Sequence, residues 1–351
     1  MTEAQPVSVV TGGAGFVGTN LVARLAATGK HVVVLDNLAR PGVEANLAWL
    51  RKTYGHRLTV EIGDLRDEEA LRRALRGATE VFHLAAQVAV TTSLDQPLHD
   101  QDVNVTGTLK LLEEIRRLDE PPPLLFTSTN KVYGALPDLE LVRNGDRWEP
   151  ASPLLRETGL SEDRPLDFCT PYGCSKGAAD QYVLDYAKSY GMRTVVFRMS
   201  CIYGPHQHGN EDQGWVAHFL RHARAGRGIT IYGDGAQVRD VLFVDDLVDA
   251  MLFAITASGE LGGTPFNIGG GPANTISLLE LLDLIEELEG RPVEVEWRPP
   301  RTGDQRYYVS DTTRFHERTG WRPAVSLRDG LEALHEWLGG RRAVAVGARG
   351  G

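Results

Sequence analysis

Short apolar runs alternate with longer stretches of three-to-four-residue periodicity through the first 200 positions. VSVVTG (7–12), HVVVLD (31–36), LTVEIG (58–63), EVFHLA (80–85), LLFTST (124–129) and RTVVFR (193–198) predict strands. The stretches near 16–28, 67–76, 98–118 and 171–190 predict helices between them. Strand and helix alternating at this pitch give right-handed crossovers and a parallel sheet covered on both faces. The fold class is therefore α/β, a Rossmann-type doubly wound parallel sheet. Such sheets bind ligands at the carboxyl ends of their strands.

Beyond about residue 199 the pattern loosens. Gly- and Pro-rich loops separate short strands from three helical patterns, near 214–226, 244–257 and 276–289. In SLLELLDLIEELEG (277–290), Ser277 is placed as an N-cap with Glu280 three residues on, and Gly290 follows the last turn. This part predicts a smaller C-terminal α/β substrate lobe. The expected division is 1–198 for the sheet domain, with 239–266 returning to it. The lobe takes 199–238 and 267–340, and 341–351 forms a mobile tail.

Composition narrows the classes of function. Of 351 residues, 42% are hydrophobic and 24% charged, an ordinary globular mix. A net charge of −10 disfavours nucleic acid and anionic membranes as partners, yet leaves a small phosphate ligand open. Three cysteines, with no C-x-x-C pair, predict neither a disulfide framework nor a zinc site. His206 and His208 in GPHQHG lack carboxylate support, so no metal is expected. No apolar stretch reaches about 18 residues, the length of a membrane span. With no leader pattern at the start, the expectation is a cytoplasmic protein.

The candidate chemistry begins at TGGAGFVG (11–18), between the first strand and its helix. Gly12 permits a tight turn, Gly15 lets backbone N–H groups approach a pyrophosphate, and Gly18 lets the helix lie close on the sheet. Phe16 and Val17 begin the helix beneath the phosphates. Asp36 ends the second strand, where a carboxylate accepts from ribose hydroxyls and repels a 2′-phosphate. The expected cofactor is therefore NAD. Asp64 suits the adenine amino group, and LAAQ (84–87), with Leu84, Ala85 and Ala86, lets the cofactor backbone pass.

Tyr172 and Lys176 in YGCSK stand four residues apart, on one face of a helix. A free tyrosine, with a pKa of about 10, is a poor base at neutral pH. A neighbouring ammonium and a positive nicotinamide would favour its phenolate, which could then remove a hydroxyl proton as hydride leaves the same carbon. Thr129 supplies a hydroxyl that orients the substrate oxygen and shares its proton with Tyr172.

These residues carry a resemblance. G-x-x-G-x-x-G at 12–18, HLAA at 83–86, Thr129 before VYG, YGCSK at 172–176, IYGP at 202–205, YGDGAQVRDVLFVDD at 232–246 and RTGD at 301–304 make up the pattern. Over roughly residues 7–340 the chain resembles the extended short-chain dehydrogenase/reductase superfamily, in its NAD-dependent nucleotide-sugar epimerase/dehydratase branch. The resemblance implies cofactor contacts at Gly12, Gly15, Phe16, Val17, Asp36, Asn37, Asp64, Leu65 and Ala85, with Asn104, Tyr172 and Lys176 around the ribose and nicotinamide. It implies that Arg239 and Arg301 grip the diphosphate of a nucleotide sugar, and it implies a homodimer through the helices near 98–118 and 171–190.

The reaction is narrowed at TSTNKVYG (127–134). Dehydratases of the branch resemble STDEVYG, whose acids expel a hydroxyl as water. Here Asn130 and Lys131 stand in both places, which disfavours a 4,6-dehydratase. STNKVYG, RMSCIYGP (198–205), EDQGWVAHF (211–219) and FNIGGGPANTISL (266–278) resemble the C2-epimerases of CDP-linked hexoses. That implies inversion through a 2-keto sugar. Asn130, Cys201, Gln213 and Trp215 are the further expected substrate contacts. A UDP-sugar 4-epimerase is the alternative, and a non-catalytic NAD-binding regulator a remote one.

Overall fold

The computed structural model of the chain describes residues 6–301 and 303–340. They form two compact units. The first gathers the chain up to Thr129, Thr170–Arg198 and Val248–Phe266. The second gathers Asn130–Cys169, Met199–Leu247 and the chain from Asn267 onward.

The first unit is built on a seven-stranded sheet. From one edge its order is Thr264–Ile268, Thr194–Met199, Leu124–Thr129, Glu80–His83, Val7–Thr11, His31–Asp36 and Leu58–Ile62. The pairings from Leu124–Thr129 to Leu58–Ile62 are parallel, with Val9 opposite Val33 on one side and Val81 on the other. All six expected strands are present within a residue or two. Their β-branched runs are buried because helices cover both faces. The chain steps outward from Val7–Thr11 and then returns to its other side at Glu80–His83. That reversal opens a crevice at the strands' carboxyl ends.

Helices Phe16–Ala27, Glu68–Ala74 and Thr170–Tyr190 match expectation. The stretch expected near 98–118 is a helix in three parts: Pro97–Gln101, a π-helical turn at Asp102–Thr106, and Gly107–Arg116. Helices Val43–Tyr54 and Val90–Asp95 were not anticipated.

In the second unit, Val238–Phe243 is the central strand. It pairs antiparallel with Thr275–Ser277 and parallel with Tyr307–Tyr308 and Cys201–Tyr203. Ile229–Tyr232 pairs with Val295–Arg298, and Leu141–Asn144 makes a hairpin with Arg147–Pro150. Helices Trp215–Arg224, Leu278–Glu289 and Leu327–Leu338 bury Phe219, Leu281, Ile285 and Leu334 against Ile231 and Phe243. Ser277 accepts from the Glu280 N–H at 3.1 Å, and the Glu280 carboxylate accepts from the Ser277 N–H at 2.8 Å. Gly290 follows in the left-handed conformation, so this helix is bounded as its sequence implies.

The division departs from the expected boundaries in two places. Residues 130–169 belong to the second unit, because Val132, Tyr133, Leu136 and Leu160 bury with Tyr308. Residues 239–247 also belong there, because Val238–Phe243 is bound to strands of that unit and the Asp246 carboxylate accepts from the N–H groups of Ala324 and Val325. Three helices, Ser258–Leu261, Thr313–Thr319 and Leu327–Leu338, add to the three expected in the second half. The expected tail, 341–351, lies outside the described residues. Among the described residues no helix is long and apolar enough to cross a membrane.

Candidate functional site

The glycine turn is dictated by close approach. Gly12 has φ +68°, and a Cβ there would lie 2.8 Å from the Ala85 nitrogen. A Cβ on Gly18 would collide with the Gly12 carbonyl oxygen. Gly15 has more room and donates to that same carbonyl at 3.0 Å. Helix Phe16–Ala27 starts with no capping side chain and no acidic residue in its first turn. Its N–H groups and dipole thus suit an anion, and the turn fits a dinucleotide pyrophosphate.

Asp36 is buried, and burial pushes its carboxyl up while backbone donors oppose this. Its Oδ2 accepts from the Ala14 N–H at 3.0 Å and its Oδ1 from the Leu38 N–H at 2.9 Å. A carboxylate offers about four lone-pair directions. Asp36 therefore holds the glycine turn and keeps capacity for ribose hydroxyls. Asp64 receives Arg66 at both oxygens, at 2.8 and 3.0 Å, and Asn37 Nδ2 at 2.8 Å. The guanidinium holds that carboxyl well below the usual range. Leu65 is buried close to Gly107. The Leu84 and Ala85 N–H groups donate to Thr11 Oγ1 at 3.2 Å, which ties LAAQ to the end of the first strand.

Thr129 ends its strand and hydrogen-bonds the Tyr172 phenol, the pairing expected from sequence. Tyr172 and Lys176 are both buried in the helix Thr170–Tyr190. The Lys176 ammonium lies 4.1 Å from the Phe126 ring centre. Burial dominates both groups, pushing the phenol up to about 12 and the lysine down to about 7. Within the chain alone Thr129 and Arg40 favour the phenolate, and they do not overcome desolvation. Asn104 sits in the π-helical turn, buried. Its Nδ2 donates to the Gln87 carbonyl and to Ser175 Oγ, both at 3.0 Å, and its Oδ1 accepts from the Gln87 N–H at 2.9 Å. Its amide braces the loop after LAAQ from within.

The remaining expected residues lie in the second unit. Asn130 is buried and opens a 3₁₀ turn, Asn130–Tyr133. Lys131 Nζ donates to Gln305 Oε1 at 3.2 Å, and Gln305 Nε2 donates to the Gly134 carbonyl at 2.6 Å. Burial and the Arg239 guanidinium lower Lys131 to about 8, against the pull of Asp304. Arg239 donates to Asp304 Oδ1 at 2.6 Å and to the Gln305 carbonyl at 2.5 Å. The Cys201 thiol accepts from Trp215 Nε1 at 3.5 Å, and burial pushes it up, away from a reactive thiolate. Arg301 donates to the Glu211 carbonyl at 2.8 Å, and its guanidinium lies 3.8 Å from the Tyr232 ring centre. The Gln213 N–H donates to Asn210 Oδ1 at 2.9 Å. The structure thus gathers Lys131, Cys201, Arg239, Asp304 and Gln305, and ties Arg301 to the loop before the Trp215 helix. His206 and His208 pack on the Trp337 ring. Sequence reasoning missed Asp304, Gln305 and Asp100. Asp304 closes the RTGD motif and Gln305 follows it, so the motif itself was the available signal; Asp100 left none.

Residues 8–269 match the NAD dependent epimerase/dehydratase family, and the chain belongs to it. That membership makes it an NAD-dependent enzyme of the epimerase and dehydratase class. Among individual relatives, it is 40% identical to CDP-paratose 2-epimerase of Salmonella typhi, over 94% of this chain and 98% of the relative. It is 36% identical to UDP-glucose 4-epimerase of Mycolicibacterium smegmatis, again over 94% and 98%. Among solved structures, UDP-glucose 4-epimerase of Thermotoga maritima with UDP-glucose superposes with a TM-score of 0.81 at 32% identity, covering 95% of this chain and 99% of that one. The Thermus thermophilus UDP-glucose 4-epimerase complex with NAD gives 0.79 at 33%, with the same coverage.

Proposed function

We propose that the chain inverts C2 of a CDP-linked hexose, of the CDP-paratose/CDP-tyvelose or CDP-glucose/CDP-mannose kind, through a 2-keto sugar. The observation that carries this reading is the turn after Thr129, which presents the buried Asn130 and the half-buried Lys131 where elimination would need two carboxylates. The 40% identity to a CDP-paratose 2-epimerase supports the choice of base and carbon.

Gly12, Gly15, Phe16, Val17, Gly18, Asp36, Asn37, Asp64, Leu65, Leu84, Ala85 and Ala86 would hold NAD. When bound, NAD supplies the hydride acceptor and donor. Thr129 orients the hydroxyl to be oxidised. Tyr172 Oη takes its proton and later returns it, and Lys176 supplies positive charge beneath. The phenol is raised in the chain alone, so the phenolate requires the further positive charge that the nicotinamide brings. Asn130, Cys201, Gln213, Trp215, Arg239 and Arg301 face the nucleotide sugar, the arginines toward its phosphates. A homodimer belongs to the same proposal.

The test is incubation with CDP-glucose or CDP-paratose in deuterated water, with products read by proton NMR. Inversion at C2 without solvent deuterium there is expected, whereas deuterium at C2 would replace hydride transfer with enolisation. A second reading, inversion at C4 of a UDP-sugar, is favoured by the 36% identity to a UDP-glucose 4-epimerase. Turnover of UDP-glucose and not CDP-glucose would select it.

A further inference from the structure

The helix that carries Asn104 is broken by a π-helical turn, a costly geometry that recurs where function needs a side chain displaced. One turn earlier stands Asp100, a fully buried carboxylate. Its Oδ2 accepts the Ser175 hydroxyl, and its Oδ1 accepts Gln87 Nε2 at 2.9 Å. Asn104 Nδ2, at 3.3 Å, completes the set. These donors are all neutral. Burial pushes its carboxyl up, and the Ser175 and Gln87 donors with the Lys176 ammonium oppose this; a buried carboxylate held by neutral donors stays ionised only with a cation within reach.

The charged and titratable groups around it are few. Lys176 follows Ser175, and it acts on Asp100 together with His99. Two carboxylates favour the Lys176 ammonium, Asp180 and Asp100. Asp180 is already engaged by Arg198 at both oxygens, at 3.0 Å each. His83, which also feels Lys176, is kept neutral by burial, at about 3. Arg40 acts on Tyr172, and Asp100 raises that phenol. Asp100 is therefore the carboxylate near Lys176 whose charge no guanidinium matches.

We infer that Asp100 is a positioning residue that, anchored through Ser175 and the π-helical turn, keeps Lys176 an ammonium without touching substrate or cofactor. It rests on the proposed pairing of Tyr172 with Lys176, but not on which sugar is turned over. Loss of this negative charge lets Lys176 shed its proton at lower pH. It also lets Tyr172 ionise at lower pH, so both flanks of a pH–rate profile move the same way.

The chain has six lysines, so selective carbon-13 labelling at Lys Cε gives a spectrum in which Lys176 can be followed directly. In the purified enzyme, Asp100→Asn should move the Lys176 midpoint clearly below its value of about 7. Turnover of CDP-glucose, or of whichever nucleotide sugar proves active, should peak at lower pH in step. An unchanged Lys176 midpoint in folded Asp100→Asn protein overturns the inference. If that variant does not fold, Lys176→Met supplies the reciprocal measurement, since coupling between two sites is mutual. There the Asp100 carboxyl, followed by carbon-13 at Cγ, should titrate at higher pH. No movement would overturn the inference equally. Both titrations are read without substrate, so they fail separately from the proposed reaction.

Discussion

Each unit carries a desolvated lysine, Lys176 buried and Lys131 half-buried, and the company of the two differs. Lys176 lies over an aromatic face, with one carboxylate tied to an arginine and another held by neutral donors. Lys131 leans on a glutamine carbonyl, beside a guanidinium and a carboxylate already bonded to that guanidinium. Both are pushed down by desolvation, one to about 7 and the other to about 8. The first sits among negative charge, as a group that must stay cationic next to a phenol would. The second has a guanidinium as the strongest charged neighbour acting on it, against the pull of Asp304. Desolvation thus acts on both lysines, while the charged neighbours that act on each differ in sign.

The comparison is broken or sharpened by four changes. Tyr172→Phe should remove about 10²–10⁴-fold of turnover, the usual weight of a general acid–base group, while bound NAD persists. Normal turnover would end its assignment. Lys176→Met should cost less, about 10–10²-fold, and most at low pH where the ammonium matters to the phenolate. A pH-independent loss would show that the lysine only packs.

Lys131→Met should leave Tyr172 chemistry in place and raise KM for the nucleotide sugar. It should also flatten the alkaline stability curve. A lysine whose folded value is about 8 against an ordinary 10.5 binds fewer protons folded than unfolded in that window. Stability from this group therefore rises with pH between the two values, and chemical denaturation at pH 8 and 10 should show the rise shrink in the variant. Ser277→Ala is the smallest and a control. It removes a capping box far in sequence from both lysines and should cost about 1 kcal/mol with turnover unchanged.

Much of the sheet was legible, because its strands are apolar runs of fixed length punctuated by glycine and aspartate. Val43–Tyr54 was missed because its apolar residues and its buried face do not coincide: Asn46 is buried while Trp49 is exposed. Helix Leu327–Leu338 was missed although Ser326 caps it, its side chain accepting from the Asp329 N–H. The glycine turn, Thr129, Tyr172 and Lys176 could be read because their spacing is local. The grouping of Lys131 with Arg239 and Gln305 could not, because it joins segments more than 60 residues apart. Asp100 was hidden for another reason. On an exposed helix an aspartate is ordinary, and only its burial against Ser175 makes it informative.

Gln305 has a consequence for anyone redesigning the enzyme. Its amide is oriented by the Gly134 carbonyl, so its oxygen is obliged to face residue 131. Only a hydrogen-bond donor suits that place. Grafting an acidic pair at 130 and 131, to turn inversion into dehydration, would set acceptor against acceptor. A successful conversion would have to recode position 305 in the same step. Position 305, remote in sequence, is thus coupled to position 131 through this hydrogen bond.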